Sequence, residues 1–114
     1  MSMTSVEQRE QNKVLVVCPD RYLTVNQVWP IYSQIEKSEG IRYQRIVLNL
    51  KEIKYVDSSG LGLLLTFLKQ LETRGCQLVL CECSSYLLDL MHKLRFDALF
   101  KIYAKEENAC QLEG

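Results

Sequence analysis

The stretch Ile46-Val47-Leu48-Asn49-Leu50, followed by Tyr55-Val56-Asp57-Ser58-Ser59-Gly60 and the run Leu61–Arg74, decides the fold. Ile46-Val47-Leu48 is apolar without alternation, as expected of a central strand covered on both faces. Ser and Asp immediately before an apolar periodic run are a helix start signal, because their side-chain oxygens satisfy the unpaired N–H groups of the first turn. Gly75 stands where a helix-ending glycine belongs. A strand, a polar turn and a helix thus follow one another across this stretch.

Outward from it the pattern repeats. Val14–Cys18 is a short β-branched run ended by Pro19-Asp20 and reads as a buried strand. Ser5–Arg9 reads as an edge strand, with Gln11-Asn12 as the turn. Asn26–Lys37 reads as a helix with Val28, Ile31 and Ile35 on one face. With Asn26 as its N-cap, Pro30 is the fourth helical residue and removes only a donor that has no intrahelical acceptor. Gly40 punctuates. Gln77–Cys83 alternates as a strand. Ser84-Ser85 opens a helix carrying Leu87, Leu90, Met91 and Leu94 at helical spacing. Leu99–Tyr103 is a final short strand, and Ala104–Gly114 a polar tail in the form of a frayed helix. The order β-β-α-β-α-β-α-β predicts an α/β domain with a mostly parallel sheet after an initial hairpin.

The chain has 114 residues, 47% apolar and 25% charged, which fits one globular domain over residues 1–114. Fourteen basic residues balance fourteen acidic ones. That balance argues against a nucleic-acid binder and against a polybasic membrane patch. No apolar run reaches the roughly 18 residues needed to span a bilayer. The polar segment Met1–Gln11 lacks a secretory h-region, so a cytoplasmic location without membrane insertion is expected. Cys18, Cys76, Cys81, Cys83 and Cys110 are odd in number and scattered, which does not suggest a disulfide framework. Cys81 and Cys83 are expected on one face of a strand as small hydrophobes; with a single histidine, His92, no metal site and no cofactor are expected.

The chemistry concentrates at Asp57-Ser58-Ser59-Gly60. A helix N-terminus at the carboxyl end of a strand suits an anion, and a phosphate on Ser58 would be accommodated there. Plain helix capping explains the same residues without a phosphate. In the helix, Leu61, Leu64, Leu65, Leu68 and Leu71 form the stripe expected to face the sheet, leaving Leu63 and Phe67 off it. Those two either pack under a loop or present a binding patch. A serine hydrolase built on Ser58 is disfavoured, because no Gly-x-Ser-x-Gly elbow surrounds it and His92 lies on a later helix. Nucleotide binding through Gly60-Leu61-Gly62 lacks a full glycine fingerprint.

The segment from Ile46 to Leu50 and on through Val56-Asp57-Ser58-Ser59-Gly60-Leu61-Gly62 resembles the STAS domain, and within it the bacterial anti-sigma factor antagonists. The similarity continues through Leu78-Val79-Leu80-Cys81 and Leu94–Ile102, and it implies a domain core at about 14–103. The resemblance implies a mixed β-sheet of four to five strands with helices packed largely on one side. It implies a phosphorylation-controlled partner switch that is not an enzyme, with Ser58 as phosphoacceptor. The implied partners are an anti-sigma factor that is also a GHKL-type serine kinase, and a PP2C-type phosphatase; a weak homodimer is a further expectation. Partner-binding candidates are Asp57, Ser59, Gly60, Leu61, Gly62, Leu63, Phe67 and Tyr22. Pro19-Asp20-Arg21-Tyr22-Leu23 departs from the family, with Leu23 where an acid usually stands. Two other roles of STAS-like domains stay open: a subunit of a lipid-transporting ABC system, which usually carries Thr at the position of Ser58, and a regulator of a non-sigma output such as biofilm formation.

Overall fold

A computed structural model describes residues 6–11, 13–37 and 43–112, the first six by backbone alone. The turn residue Asn12, the predicted strand start Ser5 and the punctuating Gly40 lie outside the described residues. Eleven elements follow in order: β1 (Val6–Gln11), β2 (Val14–Pro19), β3 (Arg21–Leu23), α1 (Val25–Lys37), β4 (Arg45–Asn49), β5 (Ile53–Val56), α2 (Ser58–Glu72), β6 (Gln77–Cys81), α3 (Ser85–Lys93), β7 (Lys101–Tyr103) and α4 (Glu106–Ala109).

The main sheet runs β1-β2-β4-β6-β7. β1 is antiparallel to β2, and β2, β4, β6 and β7 are parallel. β4 takes the middle place, as its doubly apolar sequence requires: Val47 pairs with Val16 on one side and Val79 on the other. On one face Leu15, Val17, Ile46, Leu48, Leu78 and Leu80 join the apolar sides of α1, α2 and α3 in the main core. Burying each such side chain contributes about 1.5–3 kcal/mol relative to exposure. The mixed sheet with most helices on one side agrees with expectation.

Several local readings need correction. The helix α1 begins at Val25, not after Asn26, with the Thr24 carbonyl accepting from Val28 N–H at 2.8 Å. Pro30 is therefore its sixth residue and removes a donor that would otherwise have an intrahelical acceptor. Between β4 and α2 lies a strand that the sequence hid, β5, and it pairs with the equally unforeseen β3 in a separate two-stranded sheet. So α2 follows β5 and not the central strand.

The polar tail is no frayed end. α4 lies on the second face of the sheet, where Ala109 is buried against Val14, Val16, Val47, Val79 and Cys81. Arg45, only 3% exposed, donates to the carbonyls of Ala109 at 2.8 Å and Gln111 at 3.0 Å and to Gln77 Oε1 at 2.7 and 2.9 Å. Buried Asn49 donates to Glu106 Oε1 at 2.7 Å. Cys81 and Cys83 do not share a face either: β6 ends at Cys81, which faces α4, while Cys83 packs on the main core. Glu82 between them has φ 57, and this left-handed residue turns the chain.

α1 and α2 pack side by side through rings. Trp29 meets Tyr32 edge to face at 5.6 Å, and Tyr32 stacks on Phe67 at 4.8 Å. Phe67 has no exposed surface. It belongs to the buried stripe with Leu61, Leu64, Leu68 and Leu71, whereas Leu65, expected on that stripe, is only half-buried.

Candidate functional site

The candidate site is the joint between β5 and α2. Val56 anchors the end of β5 in the core, and the chain then leaves the sheet through Asp57 in extended conformation, φ −125 and ψ 166. Ser58 is the first residue of α2. The Asp57 carboxylate accepts from Gly60 N–H at 2.7 Å and from the Ser59 hydroxyl at 3.0 Å. Asp57 is thus the cap, and Ser59 is its hydrogen-bonding neighbour and steadies the capping carboxylate. Both serines are exposed, but only the Ser58 hydroxyl has no partner among the described residues. The N–H groups of Ser58 and Ser59 have no intrahelical acceptor, and they stand at the positive end of the 15-residue α2.

The second wall of the joint is the end of β3. Leu23 is buried and lies beside Val56 in the parallel pair β3–β5. Its carbonyl accepts from Asp57 N–H at 3.5 Å and presses on Gly60, where an added Cβ would lie 2.3 Å from that oxygen. Only a residue without a side chain lets α2 start so close to β3. At Gly62 an added Cβ meets nothing within 4 Å. Leu23, in the usual place of an acid, therefore serves the core with its side chain and the joint with its carbonyl.

The predicted partner-contact residues divide. Ser59 and Tyr22 are exposed, and Asp57, Gly62 and Leu63 are partly so. Gly60, Leu61 and Phe67 are buried and have no surface to offer. Local spacing placed Phe67 outside because it could not foresee α1 beside α2. What sequence reasoning missed is Tyr55, whose ring meets that of Tyr22 at 6.4 Å. The short apolar-polar-polar-apolar segment Ile53–Val56 was the only signal.

His92 pairs with Asp97 at 2.8 Å, and that hydrogen bond raises the imidazole above its ordinary value; no imidazole reaches Ser58. Burial pushes the Cys76 and Cys83 thiols up to about 11 and Cys81 to about 12. Among the described residues no group of His, Cys, Asp and Glu is placed to hold a metal, and no helix is long and apolar enough to cross a membrane.

Comparison with known proteins follows the same lines. Residues 5–109 match the family model of the STAS domain. Over 77 residues, 68% of this chain, the sequence is 31% identical to BtrV of Bordetella bronchiseptica, which is named as an anti-sigma factor antagonist. It is 32% identical over 66 residues, 58% of the chain, to an anti-sigma F factor antagonist of Paenibacillus polymyxa. The chain spans 63% and 56% of the length of these two relatives. The unphosphorylated anti-sigma factor antagonist SpoIIAA superimposes with a TM-score of 0.75 at 21% identity, covering 92% of each chain. Phosphorylated SpoIIAA of Bacillus does so with a TM-score of 0.68 at 21% identity, covering 92% of this chain and 96% of that one. These two likenesses concern the fold.

Proposed function

Because this chain belongs to the STAS domain family, we propose that it is an anti-sigma factor antagonist whose hold on its partner is switched by phosphorylation of Ser58. The observation that carries the reading is the division of labour in the α2 cap. Asp57 and Ser59 are committed to each other and to Gly60 N–H, while the neighbouring Ser58 hydroxyl is exposed and unbonded. A phosphate on Ser58 breaks no hydrogen bond of the fold and meets the positive end of α2. It adds about −1.5 to −2 charge where a partner has to lose water to bind. Binding is lost and the fold is kept.

The partner is an anti-sigma factor that is also a serine kinase of GHKL type, and a PP2C-type phosphatase removes the phosphate. The names of the curated relatives support this role over that of a transporter subunit. Ser58, Ser59, Tyr22 and the partly exposed Gly62 and Leu63 form the contact surface around the Asp57 cap. The test is phosphopeptide mapping after incubation with the cognate kinase. Phosphate is expected on Ser58 and absent from Ser58→Ala; Ser58→Asp is expected to fold normally and bind the kinase weakly. Phosphate on Ser59 alone, or undiminished binding by Ser58→Asp, overturns the assignment.

A further inference from the structure

The β3–β5 sheet has only two strands, and its outward side is bare. Leu23, Ile53 and Val56 are buried, whereas Arg21, Tyr22, Lys54 and Tyr55 are exposed. Tyr22 and Tyr55 lie opposite each other in register, with their rings edge to face at 72°. They remain 42% and 49% exposed. Such rings are favoured interface anchors, because each offers a large area and loses little rotamer entropy when held.

The backbone beside them is unusual. Arg21 has φ 71, a left-handed conformation that non-glycine residues seldom adopt, and the strand register shifts between Arg21 and Tyr22. Irregularities of this kind re-aim side chains at functional edges. The charges around the rings are also one-sided. On β3, β5 and the turn before β5, Arg21, Lys51 and Lys54 are exposed cations against the single exposed acid Glu52. Asp20 and Asp57, at the two ends, are half-buried, and Asp57 is committed to the cap.

We propose that the Tyr22–Tyr55 ridge is the anchoring surface for a protein partner that presents an apolar segment flanked by carboxylates. The rings take the apolar segment, and Arg21 and Lys54 take the acids. This rests on the reading of Ser58 as the switch and supplies its mechanism. β5 runs from Tyr55 through Val56 and Asp57 directly to Ser58. A phosphate there adds negative charge at the end of the docking surface and so competes with the partner's carboxylates for that surface.

The test uses a synthetic peptide with a Leu-Phe centre flanked by glutamates, and a twin with lysines in their place. Each is titrated into isotope-labelled protein, and the ring resonances of Tyr22 and Tyr55 are followed. The acidic peptide is expected to shift both rings and to bind at least about tenfold more tightly than its twin. Arg21→Glu/Lys54→Glu, which leaves the rings in place, is expected to abolish that preference. Tyr22→Ala/Tyr55→Ala is expected to abolish binding, with unchanged circular dichroism showing that the fold survives. Equal binding of the two peptides, shifts confined to other residues, or no binding at millimolar concentration overturns the ridge. In a final arm Ser58→Asp is expected to weaken the acidic peptide. Ridge binding that Ser58→Asp leaves untouched overturns the competition with Ser58 and leaves the docking surface standing.

Discussion

Arg45 donates its guanidinium to the Ala109 carbonyl across 64 residues of chain, so the first residue of the central strand holds the last residue of α4. Among the described residues its acceptors are two backbone carbonyls and the Gln77 amide, with the Tyr103 ring 5.7 Å away.

Truncation after Tyr103 is therefore expected to strip Arg45 and Asn49 of their tail partners and to open the valine face to water. Re-exposing buried apolar side chains costs about 1.5–3 kcal/mol each. Urea denaturation should show a loss of at least that size, or no folded state. Arg45→Met should lose much less, because it removes the charge together with its need for acceptors.

The cap assignment separates Asp57 from Ser59. Asp57→Ala is expected to cost about 1 kcal/mol, with an upper bound near 2, because Gly60 N–H loses its acceptor. Ser59→Ala loses only an exposed bond to the same carboxylate, and its cost should stay below about 0.5 kcal/mol. Paired chemical denaturation of the two variants measures this order.

Two glycines in one turn of helix should behave oppositely. Gly60→Ala drives a Cβ into the Leu23 carbonyl and has to push α2 off β3; a loss of more than about 2 kcal/mol is expected from such overpacking. Gly62→Ala meets open space in a helix interior, and is expected to gain about 0.5–1 kcal/mol. Melting temperatures of the two variants should fall on either side of the parent.

The buried thiols bring an alkaline limit. Cys76, Cys81 and Cys83 hold their protons up to about 11–12 when folded, against 9.0 as free groups. The unfolded chain releases them first, so folding opposes ionisation. Their contribution is complete below pH 9 and is lost as the pH rises through 11–12. Denaturation midpoints taken across that window should fall, and less so in Cys76→Ala/Cys83→Ala when each is compared with its own value at pH 8. Alkylation of these thiols by iodoacetamide at pH 8 should be slow until the chain unfolds.

Local pattern revealed most of the main sheet, and physical reasons explain the rest. Ile46-Val47-Leu48 could be read because a strand buried on both faces has to be apolar throughout. The start of α2 was legible from Asp57 to Gly60, yet which oxygen caps depends on chain direction at Asp57, which composition does not encode. Leu65 and Phe67 exchanged places because the buried arc of α2 is set by α1 as well as by the sheet. α4 escaped notice because Glu106-Glu107-Asn108-Ala109 is polar; its anchors, Arg45 and Asn49, are some sixty residues away. Sequence offered Ser58 as a candidate, and only geometry showed that its neighbours on both sides were already engaged.

The ring stack of Trp29, Tyr32 and Phe67 makes the molecule its own optical probe. Its single tryptophan is the outermost member, half in water, and the innermost ring lies on the helix that begins at Ser58. Light absorbed at the red edge of the indole band excites that residue alone. Its emission then follows the seam between α1 and α2 without any label, so a loosening of that seam can be told apart from the melting of the sheet.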